Sequence, residues 1–219
     1  MEYFDERIKI INVCKQMCDL GFFVGTWGNV SMRIENQILL TPSRVNYDVM
    51  QPEDIVVIDM EGNKISGDRN PTSEKEVHRQ IYLHRDDVYG VIHAHTPYAM
   101  SVAASSISEV PCLVEEMSQL LGGSIPVTAK YVSAKEHFEL GKIAGDTIKD
   151  RSAVILRNHG PVAAGRDLDE AILVTKITEK ACGIFLKARQ AGLVLKQIPE
   201  KYVKSERYRY LYTYGHEKT

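Results

Sequence analysis

The chain has 219 residues, of which 44% are hydrophobic and 26% are charged, and its formal net charge is −2. This length and balance allow a well-buried core and exclude disorder along the whole chain. A charge so close to zero gives no global field that would attract nucleic acid or an anionic membrane, so we expect neither as a partner. No apolar run approaches the roughly 18–20 residues of a membrane span.

The predicted elements alternate between helices and short strands without a regular βαβ rhythm. The first part of the chain predicts a helix at about 3–20 that ends at Gly21, followed by strands at about 30–34, 37–41 and 55–59. The middle part predicts a helix from a cap at Thr72 or Ser73 to about 85, a strand at 88–95 and a helix from Thr96-Pro97 to about 105. The last part predicts a helix at about 135–149, strands at 153–159 and 161–165, and a helix capped by Asp167 or Asp169 that runs to about 190. Short strands joined by turns favour a largely antiparallel or mixed sheet covered by helices.

No repeat or low-complexity linker divides the sequence, so we expect one domain over residues 1–219. The four cysteines, Cys14, Cys18, Cys112 and Cys182, are sparse and form no CxxC pair. Together with the absence of a signal-peptide pattern at the start, this favours a reduced, cytoplasmic protein. Cys14 and Cys18 fit a buried helix face better than a metal site.

Two apolar strands end in histidines. His93 and His95 lie two apart on the first strand, so their side chains face the same way, and His159 ends the second strand. Three imidazoles delivered in this manner could form the ligand shell of a catalytic zinc with one position open to substrate. The alternative is three unrelated polar residues at strand ends, because an H-x-H pair alone is a weak signal. Gly160 would allow a tight turn after the last histidine.

The other histidines, His78, His84, His137 and His216, lie on predicted helices or in the tail, and we interpret them as solvated or locally bonded. Glu74 lies at a predicted helix start, where an acidic residue is ordinary. A helix beginning there could also pack it beside the histidine strand.

Three small polar loops have the composition of an anion site. They are Gly25-Thr-Trp-Gly-Asn-Val-Ser31, Thr41-Pro-Ser-Arg44 and Pro71-Thr-Ser73. Thr72 and Ser73 also lie at a predicted helix N-terminus, where free N–H groups and the helix dipole favour an anion. Together the loops could cradle a phosphate, although each loop taken singly is also an ordinary turn.

Taken in order along nearly the whole chain, these motifs resemble the class II aldolase/adducin superfamily, and most of all its L-fuculose-1-phosphate aldolases. The matching segments are Gly25–Ser31, Thr41–Ser43, Pro71–Glu74, His93–His95, Ser124–Pro126 followed by Tyr131, Asn158–Gly160, and Tyr212–Gly215. The resemblance implies a three-layer α/β/α sandwich with a mostly antiparallel central sheet.

The resemblance also implies a set of functional residues. The metal, Zn²⁺ with Mn²⁺ or Co²⁺ as alternatives, would be bound by His93, His95, His159 and Glu74, with Glu74 also the acid/base. The substrate phosphate would be bound by Gly28, Asn29, Ser43, Thr72 and Ser73. Tyr131 and Tyr214 would be catalytic tyrosines, partly supplied across a subunit interface. The resemblance further implies a homotetramer, with a C-terminal tail from about residue 201 contributing to active sites at subunit interfaces.

The expected activity is cleavage of a small sugar phosphate, a deoxyketose 1-phosphate such as L-fuculose 1-phosphate or a similar deoxypentulose 1-phosphate, to dihydroxyacetone phosphate and an aldehyde. Three alternatives stay open: a methylthioribulose-1-phosphate dehydratase, an L-ribulose-5-phosphate 4-epimerase and a non-catalytic adducin-like module. Four positions depart from the aldolase pattern. Arg44 stands where glycine is expected, Trp27 replaces a small residue, and Glu115 and Glu116 occupy a segment in which the dehydratases carry a working glutamate.

Overall fold

A computed structural model describes residues 1–213 of the chain. In this part of the chain there are six α-helices, which are α1 (Phe4–Asp19), α2 (Lys75–His84), α3 (Pro97–Ala103), α4 (His137–Ile148), α5 (Leu168–Gln190) and α6 (Glu200–Tyr212). The strands of the same residues are β1 (Asn29–Ile34), β2 (Gln37–Leu40), β3 (Val56–Asp59), β4 (Lys64–Ser66), β5 (Gly90–His93), β6 (Glu109–Val110), β7 (Ile125–Pro126), β8 (Ala153–Ile155) and β9 (Pro161–Gly165). A 3₁₀ turn lies at Pro52–Asp54 and a π-helix at Met117–Leu121. None of the helices within residues 1–213 has the length and apolarity that crossing a bilayer requires.

Seven strands form the central sheet in the order β4-β3-β2-β1-β5-β9-β8, and every neighbouring pair is antiparallel. In the registers that matter for the site, Asn29 of β1 lies opposite His93 of β5, and His93 lies opposite Val162 of β9. Directly opposed residues share one face of a sheet, so these three side chains point the same way. The predicted mostly antiparallel sheet is confirmed.

Helices cover both faces of the sheet. On one face, Val91, Val154 and Val162 pack with buried side chains of α2 and α4. On the other face, Ile92 and Ala163 pack with α1, α3, α5 and the π-helix. The alternation of Val91 and Ile92 between the two cores follows from the period of two along a strand. The predicted three-layer α/β/α arrangement is therefore confirmed.

Two of the predicted helix ends are confirmed and one is wrong. Gly21 follows α1 with φ +70°, and the Asp167 side chain caps α5 by accepting the Glu170 N–H at 2.7 Å. The cap predicted at Thr72 or Ser73 for α2 is displaced, because Glu74 occupies the N-cap position. The Thr72 hydroxyl instead accepts the Glu74 N–H at 3.3 Å and closes a turn just before the helix.

Two predicted strands are shorter than expected, and the tail contains a helix that the sequence pattern does not indicate. The strands at 88–95 and 153–159 end at His93 and Ile155, because the chain turns there to present histidines. Helix α6 buries only Val203. A helix with so little apolar surface has no hydrophobic stripe by which periodicity could reveal it.

The end of α6 lies far from the histidine end of the sheet. Tyr210 Oη donates to Glu170 at 3.0 Å, and Arg207 Nη2 donates to Ser152 Oγ at 3.1 Å. Glu170 and Ser152 both flank the C-terminal end of β9, whereas His159 precedes its N-terminal end. A five-residue strand separates its two ends by about 13 Å. The described end of α6 therefore lies on the side of the fold opposite to the histidines of the same chain.

Candidate active site

Three imidazoles converge at one end of the sheet. His93 ends β5, His95 follows two residues later, and His159 precedes β9, the neighbour of β5. Their ligand nitrogens all lie within 4.8 Å of one another. The ring centroids are 4.7–5.3 Å apart, and each pair of rings meets edge to face. The strand ends thus bring together the three histidines proposed as metal ligands.

The imidazole cluster fits a divalent cation. His93 Nδ1 donates to the Pro161 carbonyl at 3.0 Å, so the Nε2 of the neutral ring carries no proton and has a free lone pair. This Nε2 lies only 3.1 Å from His95 Nε2. Such a contact between ring nitrogens needs a shared proton or a shared cation. Two nitrogens bound tetrahedrally at 2.0–2.1 Å lie about 3.3 Å apart. Burial lowers the pKa of His93 to about 3, so its imidazole is in the neutral form that binds metals.

Gly160 and Asn158 shape the turn that carries His159, with roles that differ from the expectation. The left-handed conformation belongs to Asn158, with φ +56°, and not to Gly160. A Cβ at Gly160 would lie 2.5 Å from the Ala94 carbonyl oxygen, which no side chain tolerates. Glycine is therefore required because the two histidine-bearing segments touch, and Asn158 supplies the turn because asparagine accepts this conformation readily.

The Glu74 carboxylate packs against the imidazoles and is buried. Its Oε1 lies 3.0 Å from His159 Nε2, and its Oε2 lies 3.5 Å from His93 Nε2. Asn29 Nδ2 donates to Oε2 at 2.7 Å. Burial acts to raise the pKa of Glu74, but the two imidazoles and the Asn29 amide outweigh it and hold the pKa well below its usual value. An ionised carboxylate thus adjoins the position where a cation would bind.

One pocket of about 290 Å³ joins this cluster to the three polar loops. Its lining includes all five residues predicted to bind phosphate, which are Gly28, Asn29, Ser43, Thr72 and Ser73. It also includes His95, His159 and Glu74 from the imidazole cluster, and the neighbouring residues Trp27, Arg44 and Ala134. The anion loops and the imidazoles, which lie apart in sequence, therefore share one cavity.

Backbone donors remain free along the loop side of the pocket. The Ser43 and Thr72 N–H groups are used in pairing their two loops, with Asn70 and Thr41 carbonyls at 2.9 and 3.0 Å. Within residues 1–213, no acceptor pairs with the N–H groups of Gly28, Arg44 and Ser73, which also line the pocket. Residues with unpaired N–H groups that line a cavity beside a helix N-terminus are what an anion site requires.

The backbone explains the residue types in the first two loops. Gly28 has φ +103°, and a Cβ there would lie 2.3 Å from the Phe23 ring, so no other residue fits. Arg44 has φ +61°, a backbone conformation that glycine adopts without steric strain. That explains why the resemblance predicts glycine at this position. Trp27 is 65% exposed at the pocket rim.

Three residues suggested by the sequence do not line this pocket, and a fourth lies outside the described residues. Tyr131 is 58% exposed on the segment before α4, and Tyr214 lies outside the described residues. Glu115 accepts the Gln119 amide, and Glu116 pairs with Lys180 of α5. Within residues 1–213, neither of the two glutamates that would favour dehydratase chemistry lines the pocket.

One functional candidate was missed at the sequence level. His78 was interpreted as solvated or locally bonded, and this is wrong: it is fully buried between Asn29 and Ser31 of β1. His84 is bonded locally, to the Gln80 carbonyl, as expected. A lone histidine in an amphipathic helix looks exposed because its partners lie almost fifty residues away in the chain.

Comparison with known proteins gives a consistent result. The family model described as Class II Aldolase and Adducin N-terminal domain matches residues 8–186. L-fuculose phosphate aldolase of Methanocaldococcus jannaschii is 32% identical over 83% of this chain and 96% of its own length. The 5-methylthioribulose-1-phosphate/5-deoxyribulose-1-phosphate aldolase of Rhodospirillum rubrum is 34% identical over 80% of this chain and 78% of its own. A solved structure of L-fuculose 1-phosphate aldolase superposes with a TM-score of 0.90 at 27% identity, covering 97% of this chain and 99% of that one.

An α/β/α fold with an imidazole cluster beside an anion pocket fits a protein that binds a divalent cation next to a small anionic molecule. The extent of the family match makes the assignment specific. The chain belongs to the class II aldolase and adducin family.

Proposed function

We propose that this chain is a metal-dependent aldolase that cleaves a deoxyketose 1-phosphate to dihydroxyacetone phosphate and an aldehyde. The observation that carries the proposal is the single pocket lined both by residues with free N–H donors and hydroxyls and by His95, His159 and Glu74 of the imidazole cluster. A ketose 1-phosphate has its phosphate next to its carbonyl, so one short molecule would span both ends of such a pocket.

The loop side of the pocket would bind the phosphate. Gly28, Arg44 and Ser73 offer backbone N–H groups, and Ser43 and Thr72 add hydroxyls. Holding the phosphate places the carbonyl carbon beside Glu74 and the imidazoles. Such positioning is a large part of the rate gain that a binding pocket can supply.

Glu74 would act as the acid/base. When the carbon–carbon bond breaks, its electron pair moves into the ketone half, and a proton must then reach the carbon next to the carbonyl. A carboxyl group that adjoins both the imidazoles and the pocket can hold and deliver that proton, a contribution typically worth about 10²–10⁴ in rate. We further propose that Tyr131 and Tyr214 serve the aldehyde half, where the hydroxyl proton of the substrate must be removed.

The resident cation is proposed to be Zn²⁺, with Mn²⁺ or Co²⁺ as alternatives, since imidazole and carboxylate ligands suit several divalent ions. His93, His95 and His159 would hold it, with Glu74 as a further ligand. A divalent ion at this position supplies Lewis-acid stabilisation of the negative charge that develops on the carbonyl oxygen.

The substrate is proposed to be L-fuculose 1-phosphate or a deoxypentulose 1-phosphate. The names of the two relatives support both choices, since one is called an L-fuculose phosphate aldolase and the other a 5-methylthioribulose-1-phosphate/5-deoxyribulose-1-phosphate aldolase. At about one third identity these names agree on the phosphate-bearing half and differ in the aldehyde half.

We also propose that residues 1–219 form one domain and that four copies assemble as a homotetramer with active sites at subunit interfaces. The position of α6 supports this assembly. Its end is docked on Glu170 and Ser152, at the end of the sheet opposite to the histidines of the same chain. A tail that contributes to catalysis would therefore reach a site in a neighbouring copy.

A panel of ketose 1-phosphates tests the proposal. The metal-loaded protein would be offered L-fuculose 1-phosphate, 5-deoxyribulose 1-phosphate and 5-methylthioribulose 1-phosphate, with release of dihydroxyacetone phosphate as the readout. We expect triose phosphate from at least one of them. Glu74→Gln serves as the matched control: it should retain the metal and bind inorganic phosphate, yet lose exchange of the carbon-bound protons of dihydroxyacetone phosphate with solvent.

Other products would identify the other family activities. Loss of water from 5-methylthioribulose 1-phosphate without triose phosphate would indicate a dehydratase, and isomerisation of a pentulose 5-phosphate would indicate an epimerase. A purified protein that holds no metal and turns over none of these compounds would fit the non-catalytic branch of the family.

A further inference from the structure

A buried polar ladder leads from Glu74 into the protein, and the proposed reaction does not use its inner members. On the helix side, Glu74, His78 and Tyr82 recur every four residues and form one stripe along α2. On the strand side, Asn29 and Ser31 are two apart on β1 and face that stripe. Four helical residues rise about 6.0 Å and two strand residues about 6.8 Å. The two spacings match, so the polar groups interleave.

The ladder is continuous. Asn29 Nδ2 donates to Glu74 at 2.7 Å, and Asn29 Oδ1 lies 2.5 Å from His78 Nε2. His78 Nδ1 lies 2.7 Å from Ser31 Oγ, which in turn lies 2.8 Å from Tyr82 Oη. Apart from Glu74, which is 8% exposed, every member is 4% exposed or less. All these side chains are therefore fixed by one another and not by solvent.

The direction of every hydrogen bond follows from the first. Asn29 donates its Nδ2 to Glu74, so the same amide presents its Oδ1, which can only accept, to His78. His78 must then carry its proton on Nε2, and its bare Nδ1 must accept from Ser31. Ser31 Oγ, having given its proton, accepts from Tyr82. The hydrogen bond from His78 Nε2 to Oδ1 therefore depends on the orientation of the Asn29 amide.

We propose that His78 is a positioning residue that fixes the Asn29 amide and, through it, couples the phosphate loops to Glu74. The proposal rests on the function proposed above for Glu74 and the pocket. Asn29 lines the pocket and bonds Glu74 with the same amide group. With His78 as donor to Oδ1, only one amide orientation satisfies both neighbours. Without that donor the amide can turn over and set its oxygen against the carboxylate.

Two substitutions of His78 separate positioning from packing. In His78→Gln, the amide nitrogen and oxygen replace Nε2 and Nδ1 and can restore both hydrogen bonds. In His78→Leu, the side chain has a comparable volume and suits a buried position but bonds neither neighbour. We expect His78→Leu to lose about 10–100-fold in kcat with its metal content unchanged, as is typical for a residue behind the ligand shell. His78→Gln should recover most of that loss.

A milder pair of variants covers the case in which the leucine variant does not fold. Ser31→Ala removes a buried hydroxyl from the ladder, and the control Thr175→Val removes a buried hydroxyl that bonds the Ala171 carbonyl within α5. We expect kcat to fall for Ser31→Ala alone, with metal content unchanged in both. A leucine variant at least as active as the glutamine variant, or equal kcat for the two hydroxyl-deletion variants, would overturn the proposal.

The protonation pattern can be measured without any substrate. Nitrogen-15 NMR of the metal-loaded protein, with the His78 signals assigned by their loss in His78→Gln, should show a neutral ring protonated at Nε2. A ring protonated at Nδ1 would contradict the ladder. This readout stands even if no ketose phosphate is cleaved, so failure of the proposed function and failure of the positioning role give different results.

Discussion

Arg44 combines a strained backbone with a position on the pocket. Its φ of +61° lies in the left-handed region, which costs a residue with a side chain roughly 1–2 kcal/mol. Its side chain makes no hydrogen bond or ion pair to the protein within residues 1–213, so the guanidinium remains available to a ligand. A cation retained at a conformation that suits glycine points to a role in binding the substrate phosphate.

We therefore predict that Arg44→Gly will weaken substrate binding without harming the fold. Loss of one charged hydrogen bond to phosphate should raise KM for the ketose phosphate about tenfold. Relief of the left-handed strain and the greater freedom of glycine in the unfolded chain oppose each other, so the free energy of unfolding should change by less than about 1 kcal/mol. Steady-state kinetics and urea unfolding measure the two effects. Arg44→Lys is the control that keeps the charge, and an unchanged KM for Arg44→Gly would contradict the role.

For single residues, the sequence predicts those that are marked by a pattern of neighbouring residues and misses those whose contacts lie far away in the chain. The pairs at His93–His95 and Asn158–Gly160 mark strand ends, so the imidazole cluster follows from spacing and strand geometry. His78 gives no such signal, because nothing near it in the chain reveals Asn29 and Ser31. The two stripes could have been noticed separately, but only the pairing of α2 with β1 makes them one ladder.

Between elements, Glu170 joins the start of α5 to the end of α6. It accepts the Arg166 N–H at 2.6 Å, Arg166 Nη2 at 2.8 Å and Tyr210 Oη at 3.0 Å. Burial acts to raise the pKa of Glu170, but these donors outweigh it and hold the pKa below its usual value. The carboxylate therefore contributes more to the docking of α6 when it is ionised than when it is protonated.

This contribution should depend on pH. A carboxyl group whose pKa is lower in the folded than in the unfolded chain, near 4.3, stabilises the fold above that pH and loses the effect as pH falls through the folded value. We predict that Glu170→Gln lowers the free energy of unfolding by about 1–3 kcal/mol at neutral pH, and that the difference shrinks in acid. Urea unfolding at several pH values and one protein concentration would show this.

A matched control is available one residue away. Asp169→Asn makes the same change of charge, but Asp169 is exposed and pairs with Lys9 at the surface. Exposed pairs contribute little, so the control should shift the unfolding free energy by less than about 1 kcal/mol. Equal effects of the two substitutions would mean that Glu170 does not dock α6.

Elements with a strong apolar period or a side-chain cap follow from the sequence, as α1 and the Asp167 cap of α5 show. Short or nearly exposed elements do not. The two-residue strands β6 and β7 are too short to have a period, and α6 buries a single residue. The overlong predictions at β5 and β8 have one cause: an apolar run does not reveal where the backbone leaves the sheet.

For the whole molecule, the separation between tail and histidines predicts complementation between damaged copies. Glu74→Gln lacks the proposed acid/base, and a chain ending at Thr213 lacks the proposed tail contribution. Each should be inactive alone. In a random mixture of the two within one oligomer, about a quarter of the sites would combine an intact Glu74 with a neighbour's intact tail. We expect activity to return to about that fraction after the two are unfolded and reassembled together.

Two results would contradict this prediction. If mixed oligomers form, as mass spectrometry of differently tagged copies would show, and yet no activity returns, the tail serves the site of its own chain. If the truncated chain is fully active alone, the tail has no part in the reaction.

The interleaved ladder between α2 and β1 has a consequence for how the pocket can change. Glu74 and the imidazoles lie on strand ends and on a helix whose polar stripe is locked into the sheet, so this side of the cavity is rigid. The opposite side consists of turns at Gly28 and Arg44 and carries an exposed tryptophan. Any change in the shape of the cavity is then expected from the turns and from whatever a neighbouring copy adds, while Glu74 and the histidines stay in register with the core.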